Sequence, residues 1–254
     1  MITILTLKKG DKYSSDIVNN LYYSILKNST VPFRLLCYTD NETGLDKNIT
    51  ALKINNPNQF PVHWHKLEFH KERFAGIQPG TDVIIMDIDM IILQNIDDIL
   101  TYPVNEKEFG AIFRWWSMRT NWCPINGGFQ KFKHGTTDYI WKKFIKKSDY
   151  WPTYYPSIGE AAPPYMGEQN FIHHNIENCG LKRKYLPMDW FAKYNPLQPE
   201  LFNFWKEKIR DTDYFKDGEF DPSIKIVHFS NAKGKHNSID QHSDSWLKKY
   251  WYIN

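Results

Sequence analysis

Asp82-Val-Ile-Ile-Met-Asp-Ile-Asp-Met-Ile-Ile-Leu93 is an apolar run with two carboxylates, Asp87 and Asp89, set into it. A continuous hydrophobic stretch of this kind reads as a central strand covered on both faces. Side chains two apart on a strand share a face, so Asp87 and Asp89 are expected to project together. Their like charges repel, and an unpaired buried carboxylate costs several kcal/mol. The simplest compensation is a divalent cation held by hard oxygen ligands where the strand emerges from the sheet. The alternative is a strand end that runs into water.

Working outward, strands and helices alternate. Ile2–Leu7 reads as a first strand and Ser14–Leu26 as an amphipathic helix, with Ser14 or Ser15 as its cap. Phe33–Tyr38 reads as a second strand ending in the turn-rich Thr39–Gly44, and His65–Phe74 as a helix. Beyond Leu93, strands are expected at Gly110–Phe113 and Phe129–Phe132, with Trp115, Trp116 and Trp122 between them. A helix at Thr137–Lys146 then leads into an irregular aromatic loop, Trp151–Tyr165. Alternation of this kind implies a mostly parallel sheet covered by helices, with ligands at the carboxyl ends of its strands. Tyr13, Asp87 and Asp89 would fall there. With no repeat, low-complexity tract or dividing linker, residues 1–254 are expected to form one α/β domain. Residues 1–93, ending in the carboxylate strand, and 94–254 would be its two halves.

Composition narrows the partners. Lys plus Arg number 32 and Asp plus Glu 29, a net charge of +3 without a basic block; this argues against nucleic acid and leaves room for a local anion pocket. Three widely spaced cysteines, Cys37, Cys123 and Cys179, suggest reduced thiols rather than a disulfide frame or zinc site. The N-terminus enters its first strand without a charged leader, and no segment approaches the roughly 18 apolar residues of a bilayer span. A cytoplasmic protein is expected, at most peripheral to a membrane. The C-terminal Trp246–Tyr252, with Lys248 and Lys249, is either a membrane contact or a short helix packed on the domain; packing is the favoured reading.

The order of motifs resembles the GT-A glycosyltransferases, most closely the family eight group that includes glycogenin and bacterial lipooligosaccharide galactosyltransferases. Thr6-Leu-Lys-Lys-Gly-Asp-Lys-Tyr13 is similar to that group's first strand and turn. Lys66-Leu67 resembles its donor-contacting Lys-Leu pair, and Met86-Asp-Ile-Asp-Met90 its metal-binding DxD motif. Asn126-Gly-Gly-Phe-Gln-Lys-Phe132 resembles the strand beside the donor sugar, Gly167-Glu-Gln-Asn170 the Asp-Gln-Asp of the catalytic centre, and Ile226-Val-His-Phe-Ser230 the segment carrying a third metal ligand. The resemblance implies a Rossmann-like mixed central sheet flanked by helices. It also implies transfer of a hexose from a nucleotide sugar, most simply a UDP-sugar, to a glycan, lipid-linked or protein acceptor, with retention. Asp87, Asp89 and His228 would hold Mn²⁺ or Mg²⁺, and Thr6, Leu7, Tyr13 and Asp87 would meet the nucleotide. Lys66, with Lys233 or Lys235, would meet the diphosphate. Asn126, Gly127 and Glu168 would meet the donor sugar, and Glu168 and Gln169 would be the catalytic pair. Two departures stand out: Asn231 occupies the place of a family Gly with no Lys-Pro following, and Glu168 replaces an Asp.

Nitrogen ligation by His228 would favour Mn²⁺ over Ca²⁺. Trp151, Tyr154 and Tyr155 are candidates for the acceptor, because their rings stack on sugar C–H faces. Each residue has a plainer alternative: His228 a hydrogen-bonded core histidine, Tyr13 a packing residue, Glu168 a favourable first-turn acid, Lys233 and Lys235 solvated charges. An inverting enzyme would instead use Glu168 as base. Two other classes remain open: a haloacid-dehalogenase-type phosphatase, whose Asp-x-Asp lies near the start of its fold, and a catalytically silent nucleotide- or sugar-binding protein.

Overall fold

The chain alternates strand and helix through its first half, as its hydrophobic periodicity predicts. The computed structural model describes residues 1–117, 122–161, 167–195, 203, 209–229 and 245–253. Its strands are β1 (Ile2–Lys8), β2 (Phe33–Thr39), β3 (Thr50–Lys53), β4 (Asp82–Met86), β5 (Met90–Ile92), β6 (Glu108–Phe113), β7 (Ile125–Lys133), β8 (Lys182–Tyr185), β9 (Phe191–Tyr194), β10 (Phe215–Lys216), β11 (Glu219–Phe220) and β12 (Ile226–Phe229). The α-helices are α1 (Ser15–Lys27), α2 (Asp97–Thr101), α3 (Asp138–Ile145), α4 (Trp151–Ser157), α5 (Glu168–Asn175) and α6 (Ser245–Lys248).

Among the described residues, seven strands form a central sheet in the order β3-β2-β1-β4-β7-β6-β8. β3, β2, β1 and β4 run parallel, as do β6 and β8, while β7 is antiparallel to both β4 and β6, so among these strands the sheet is mostly parallel, as the alternation predicts, and mixed through one reversed strand. Strand alternation sorts the core into two layers. Ile4, Ile84 and Met86 face α1 (Ile17, Val18, Leu21, Ile25), while Leu5, Val83 and Ile85 face Trp64, Leu67, Phe144 and Phe171 on the other side. A second, three-stranded sheet, β5-β12-β9, packs into the α1 layer.

The apolar run from Asp82 to Leu93 is not one strand. β4 ends at Met86, a turn spans Asp87 to Asp89, and β5 resumes in the smaller sheet. Carboxylates cannot be laid into a strand covered on both faces without partners. The chain therefore leaves one sheet at Asp87 and enters another at Met90, and a turn rather than strand alternation sets the two aspartates.

Two other segments depart from expectation. The segment predicted as a helix over His65–Phe74 is a 3₁₀ helix, Val62–His70, followed by a short turn in which Arg73 and Ala75 take positive φ. Three residues per turn stack Trp64, Leu67 and His70 on one buried line, and His63, Lys66 and Phe69 on the next. Trp151–Tyr165, expected as an irregular loop, begins as α4, with Pro152 in its first turn where no amide hydrogen is needed. In α6, Trp246 and Leu247 are buried, so the C-terminal segment packs on the domain rather than offering those side chains to a membrane.

His70 is fully buried, stacked on Phe132, with Nδ1 3.0 Å from the Thr137 hydroxyl. Burial, with His134 adding to it, pushes its pKa down to about 3. The unfolded chain therefore takes up the proton first, and the stability present above pH 6.5 is lost as pH falls toward 3. In urea unfolding, lowering the pH from 6.5 to 5 should cost about 2 kcal/mol through this one side chain. His70→Gln should flatten that slope, and an unchanged slope would contradict the assignment.

Candidate active site

The turn between β4 and β5 is fixed by backbone bonds to two other elements. Asp87 N donates to Gly128 O on β7 at 2.8 Å, and Phe229 N on β12 donates to Asp89 O at 2.9 Å. The second bond brings His228, one residue earlier, beside the carboxylates: His228 Nε2 lies 3.5 Å from Asp89 Oδ1. One ligand atom each from Asp87, Asp89 and His228 falls within 4.8 Å of the others. Two carboxylates and an imidazole, all partly exposed, make a donor set of the chemistry and size that suits a divalent cation with coordination positions left for a ligand. Burial pushes the Asp89 carboxyl up, but His228, Lys193 and Lys12 together outweigh it and hold it below the usual carboxylate range.

Asn126 organises the floor of this site. Its Nδ2 lies 3.0 Å from His228 Nδ1, which leaves Nε2 on the Asp89 side, and its Oδ1 accepts from Gly128 N at 2.7 Å. A Cβ on Gly128 would lie 2.8 Å from Asp87 Oδ2 and 2.9 Å from Asn126 Oδ1; one on Gly127 would lie 2.8 Å from Gln169 Cβ. The Gly-Gly pair is thus required by close approach of the carboxylate turn on one side and α5 on the other.

Lys66 joins the two sides. Its buried Nζ lies 3.1 Å from Asp87 Oδ1, 3.3 Å from Gly127 O and 3.8 Å from Glu168 Oε2. Burial alone would lower its pKa, yet Asp87 and Glu168 outweigh burial and hold it above the ordinary lysine value. Glu168 answers in the opposite sense: burial raises it to about 7 despite Lys66. Glu168 Oε1 is buried and has no hydrogen-bond partner among the described residues. Gln169 is oriented by Gly127 N, which donates to its Oε1 at 3.2 Å.

Three cationic or titratable neighbours are given no role by the sequence motifs. Lys193, on β9, is the lateral strand partner of His228 and so projects from the same side of the small sheet. Burial, with Arg114 adding to it, lowers Lys193 to about 8, while Asp89 and Asp87 pull the other way. Lys12 lies with its Nζ 4.6 Å from the Tyr13 ring centre and within the field of Asp89. His63, one 3₁₀ turn before Lys66, is lowered to about 4 by burial and by Lys66. Only the strand pairing of β12 with β9 identifies Lys193; nothing local in Phe191-Ala-Lys-Tyr194 marks it.

The remaining motif residues divide. Thr6 and Leu7 are buried at the carboxyl end of β1, and Tyr13 is partly buried in the loop that follows. Tyr155 is buried against Gly167, whose positive φ of 85° and 2.4 Å clearance to Tyr155 Cβ admit no side chain; Tyr155 therefore packs the start of α5. Trp151 and Tyr154 are half-buried beside it. Lys233 and Lys235 lie outside the described residues.

The fold and this site define a class: the GT-A type of nucleotide-diphospho-sugar transferase fold, carrying an Asp-Asp-His cluster at the end of β4. Among solved structures, the chain is similar to the galactosyltransferase LgtC in complex with donor and acceptor sugar analogs, at a TM-score of 0.59 and 11% identity over 98% of this chain and 95% of that one. It is also similar to the glycosyltransferase GlyE of Streptococcus pneumoniae TIGR4, at a TM-score of 0.62 and 12% identity, covering 100% of this chain and 62% of that one. No family model matches the chain, and no curated protein matches it in sequence. The phosphatase alternative falls on topology, since its Asp-x-Asp lies near the start of its fold, whereas here four strands, β1 to β4, precede the carboxylate pair and the fold is of the GT-A type.

If Asn126 holds His228 for ligation, Asn126→Ala should weaken Mn²⁺ binding by about 10–100-fold while the protein stays folded. Titration calorimetry with Mn²⁺ checks this, and unchanged affinity would remove Asn126 from the metal's support.

Proposed function

We propose that this protein is a metal-dependent glycosyltransferase that moves a hexose from a nucleotide sugar, a UDP-sugar by resemblance, to a glycan, lipid-linked or protein acceptor. The observation that carries the reading is the convergence of Asp87, Asp89 and His228 from two sheets of a GT-A fold. These three residues would hold the cation, with Mn²⁺ favoured by the imidazole and Mg²⁺ also suited to the carboxylates. When bound, such a cation supplies Lewis-acid stabilisation of the charge that grows on a leaving diphosphate.

The chain's own residues divide the remaining work. Lys66, already paired with Asp87, adds positive charge toward the phosphates, with Lys233 or Lys235 as its partner there. Tyr13 lies against the base, and Thr6 and Leu7 offer backbone groups at the end of β1. Glu168 accepts a donor-sugar hydroxyl through its Oε1, which has no partner among the described residues, and Asn126 and Gly127 line the same side. Retention follows the resemblance, with Gln169 as the polar group across the ring; it is held by Gly127 N, which fixes the sugar's orientation through a rigid contact. Trp151 and Tyr154 stand as the acceptor-side rings. The buried thiols of Cys37 and Cys123 are both raised to about 12 by burial, which makes them poor nucleophiles.

Thermal unfolding with UDP, GDP, CDP and TDP, with and without Mn²⁺, tests the reading. At about a hundred times its dissociation constant, UDP should raise the midpoint by several degrees, and only with Mn²⁺ present. Asp89→Asn should remove that shift and abolish sugar transfer while leaving the unliganded midpoint close to wild type. A shift that survives Asp89→Asn contradicts the metal assignment, and a metal-dependent shift without turnover of any nucleotide sugar identifies a silent binding protein.

Lys193 provides a separate check on the site's charge. Lys193→Met removes a cation that faces Asp89 and should weaken Mn²⁺-dependent UDP binding by about tenfold or less, since Lys66 remains. Tighter UDP binding in the variant would show that Lys193 opposes the cation rather than assisting the anion.

A further inference from the structure

Half of the large apolar side chains exposed among the described residues fall within one stretch of twenty residues: Tyr139 (44% exposed), Ile145 (37%), Tyr150 (47%) and Ile158 (47%). Tyr139 and Ile145 lie on α3, and Tyr150 and Ile158 immediately precede and follow α4. Spacing orders them. Tyr150, Tyr154 and Ile158 recur every four residues along α4 and form one stripe, with Tyr150 and Tyr154 stacked at 5.4 Å. Tyr139, Lys143 and Lys147 recur every four residues along α3 and beyond, forming a second.

Cation–π contacts join the stripes into one surface. Lys143 Nζ lies 5.9 Å from the Tyr139 ring and 5.6 Å from the Trp151 ring, and Lys147 Nζ lies 5.8 Å from Tyr150. Residues 138–158 hold four lysine side chains, Lys142, Lys143, Lys146 and Lys147, against two carboxylates, Asp138 and Asp149. One of the carboxylates, Asp138, is already paired with Lys142.

We propose that the α3–α4 face is a docking surface for an anionic lipid bilayer. A solvated polar face accounts for the lysines alone but not for two tyrosines and two isoleucines left in water beside them. Interfacial binding accounts for both: aromatic and aliphatic side chains enter the headgroup boundary while flanking ammonium groups meet lipid phosphates. The charge is complementary to such a surface, and the tyrosines carry the amphipathic rings that favour it. The C-terminal aromatic–basic segment, by contrast, buries Trp246 and Leu247 in the core. The face also connects to the site, because α5, which begins with Glu168 and Gln169, packs against both α3 and α4. Docking there would hold the enzyme beside an acceptor carried by lipid, and it does not depend on which sugar is transferred.

Co-sedimentation of the full chain with phosphatidylcholine vesicles, with and without about one-third phosphatidylglycerol, tests the surface. The protein should pellet with the anionic vesicles and stay in solution with the neutral ones. Tyr150→Ser combined with Ile158→Ser, and separately Lys146→Glu combined with Lys147→Glu, should each weaken binding by about tenfold or more. All of these side chains are exposed, so both variants should keep the wild-type unfolding midpoint and any Mn²⁺-dependent UDP shift, whether or not the transferase reading holds. Absence of wild-type binding to anionic vesicles overturns the proposal, as does undiminished binding by both variants. Equal binding to DNA and to vesicles, lost only in the charge-reversal variant, would make the face a general polyanion site and overturn the bilayer assignment.

Discussion

Everything in the candidate site depends on one break in a strand. Asp87 and Asp89 sit where an apolar run would otherwise continue through the core, and the chain answers by changing sheets between them. Asp87 N stays bonded to β7 through Gly128, the last hold on the large sheet, while Asp89 O is already bonded to β12 of the small one. The turn is thus a hinge point in topology, shared by two sheets. Because Phe229 clamps Asp89, the neighbouring His228 has no freedom to be elsewhere. The third ligand of the cluster is a consequence of the same backbone bond that ends the break.

The glycines of β7 show how tightly that junction is drawn. Asn126 must reach both Gly128 N and His228, and α5 must bring Gln169 against Gly127, so neither Gly127 nor Gly128 has room for a Cβ. Glu168 and Gln169 arrive at the site because Gly167 takes a left-handed conformation pressed on Tyr155. The rings of Trp151, Tyr154 and Tyr155 set the start of α5. They fix the position of the polar pair even where they touch no ligand.

Much of this was legible in the sequence, and the failures share a cause. The apolar–polar periods of β1, α1 and β2 placed those elements within a residue, because each period has one structural solution. Asp87, Asp89, Asn126, Glu168 and His228 were legible as ordered motifs, and the structure brings them together. Lys193 was not, because its importance comes from lateral pairing with His228, a long-range fact with no local mark. The 3₁₀ helix was read as a longer helix because repeats at three and at three-to-four residues look alike over nine positions. α4 was read as part of an irregular aromatic loop, yet it carries Pro152 in its first turn, where proline has no amide hydrogen to lose.

The charges around the turn bear on how the proposed metal and diphosphate would bind together. Asp87, Asp89 and Glu168 face Lys66, Lys12 and Lys193, with Arg114 just beyond. Without a ligand these nearly balance. Lys66 is held in its charged form by two of the carboxylates, and Asp89 is held ionised by His228, Lys193 and Lys12 against the pull of burial. Adding a divalent cation alone would add to the charge of Lys66, Lys12 and Lys193, and adding a polyanion alone would set it against the carboxylates of Asp87 and Asp89 and the partly ionised Glu168. Each addition is costly by itself in a partly dehydrated site, and each offsets the cost of the other. Metal and a strongly anionic ligand such as a diphosphate should therefore bind with positive coupling, by the same factor in either order of addition.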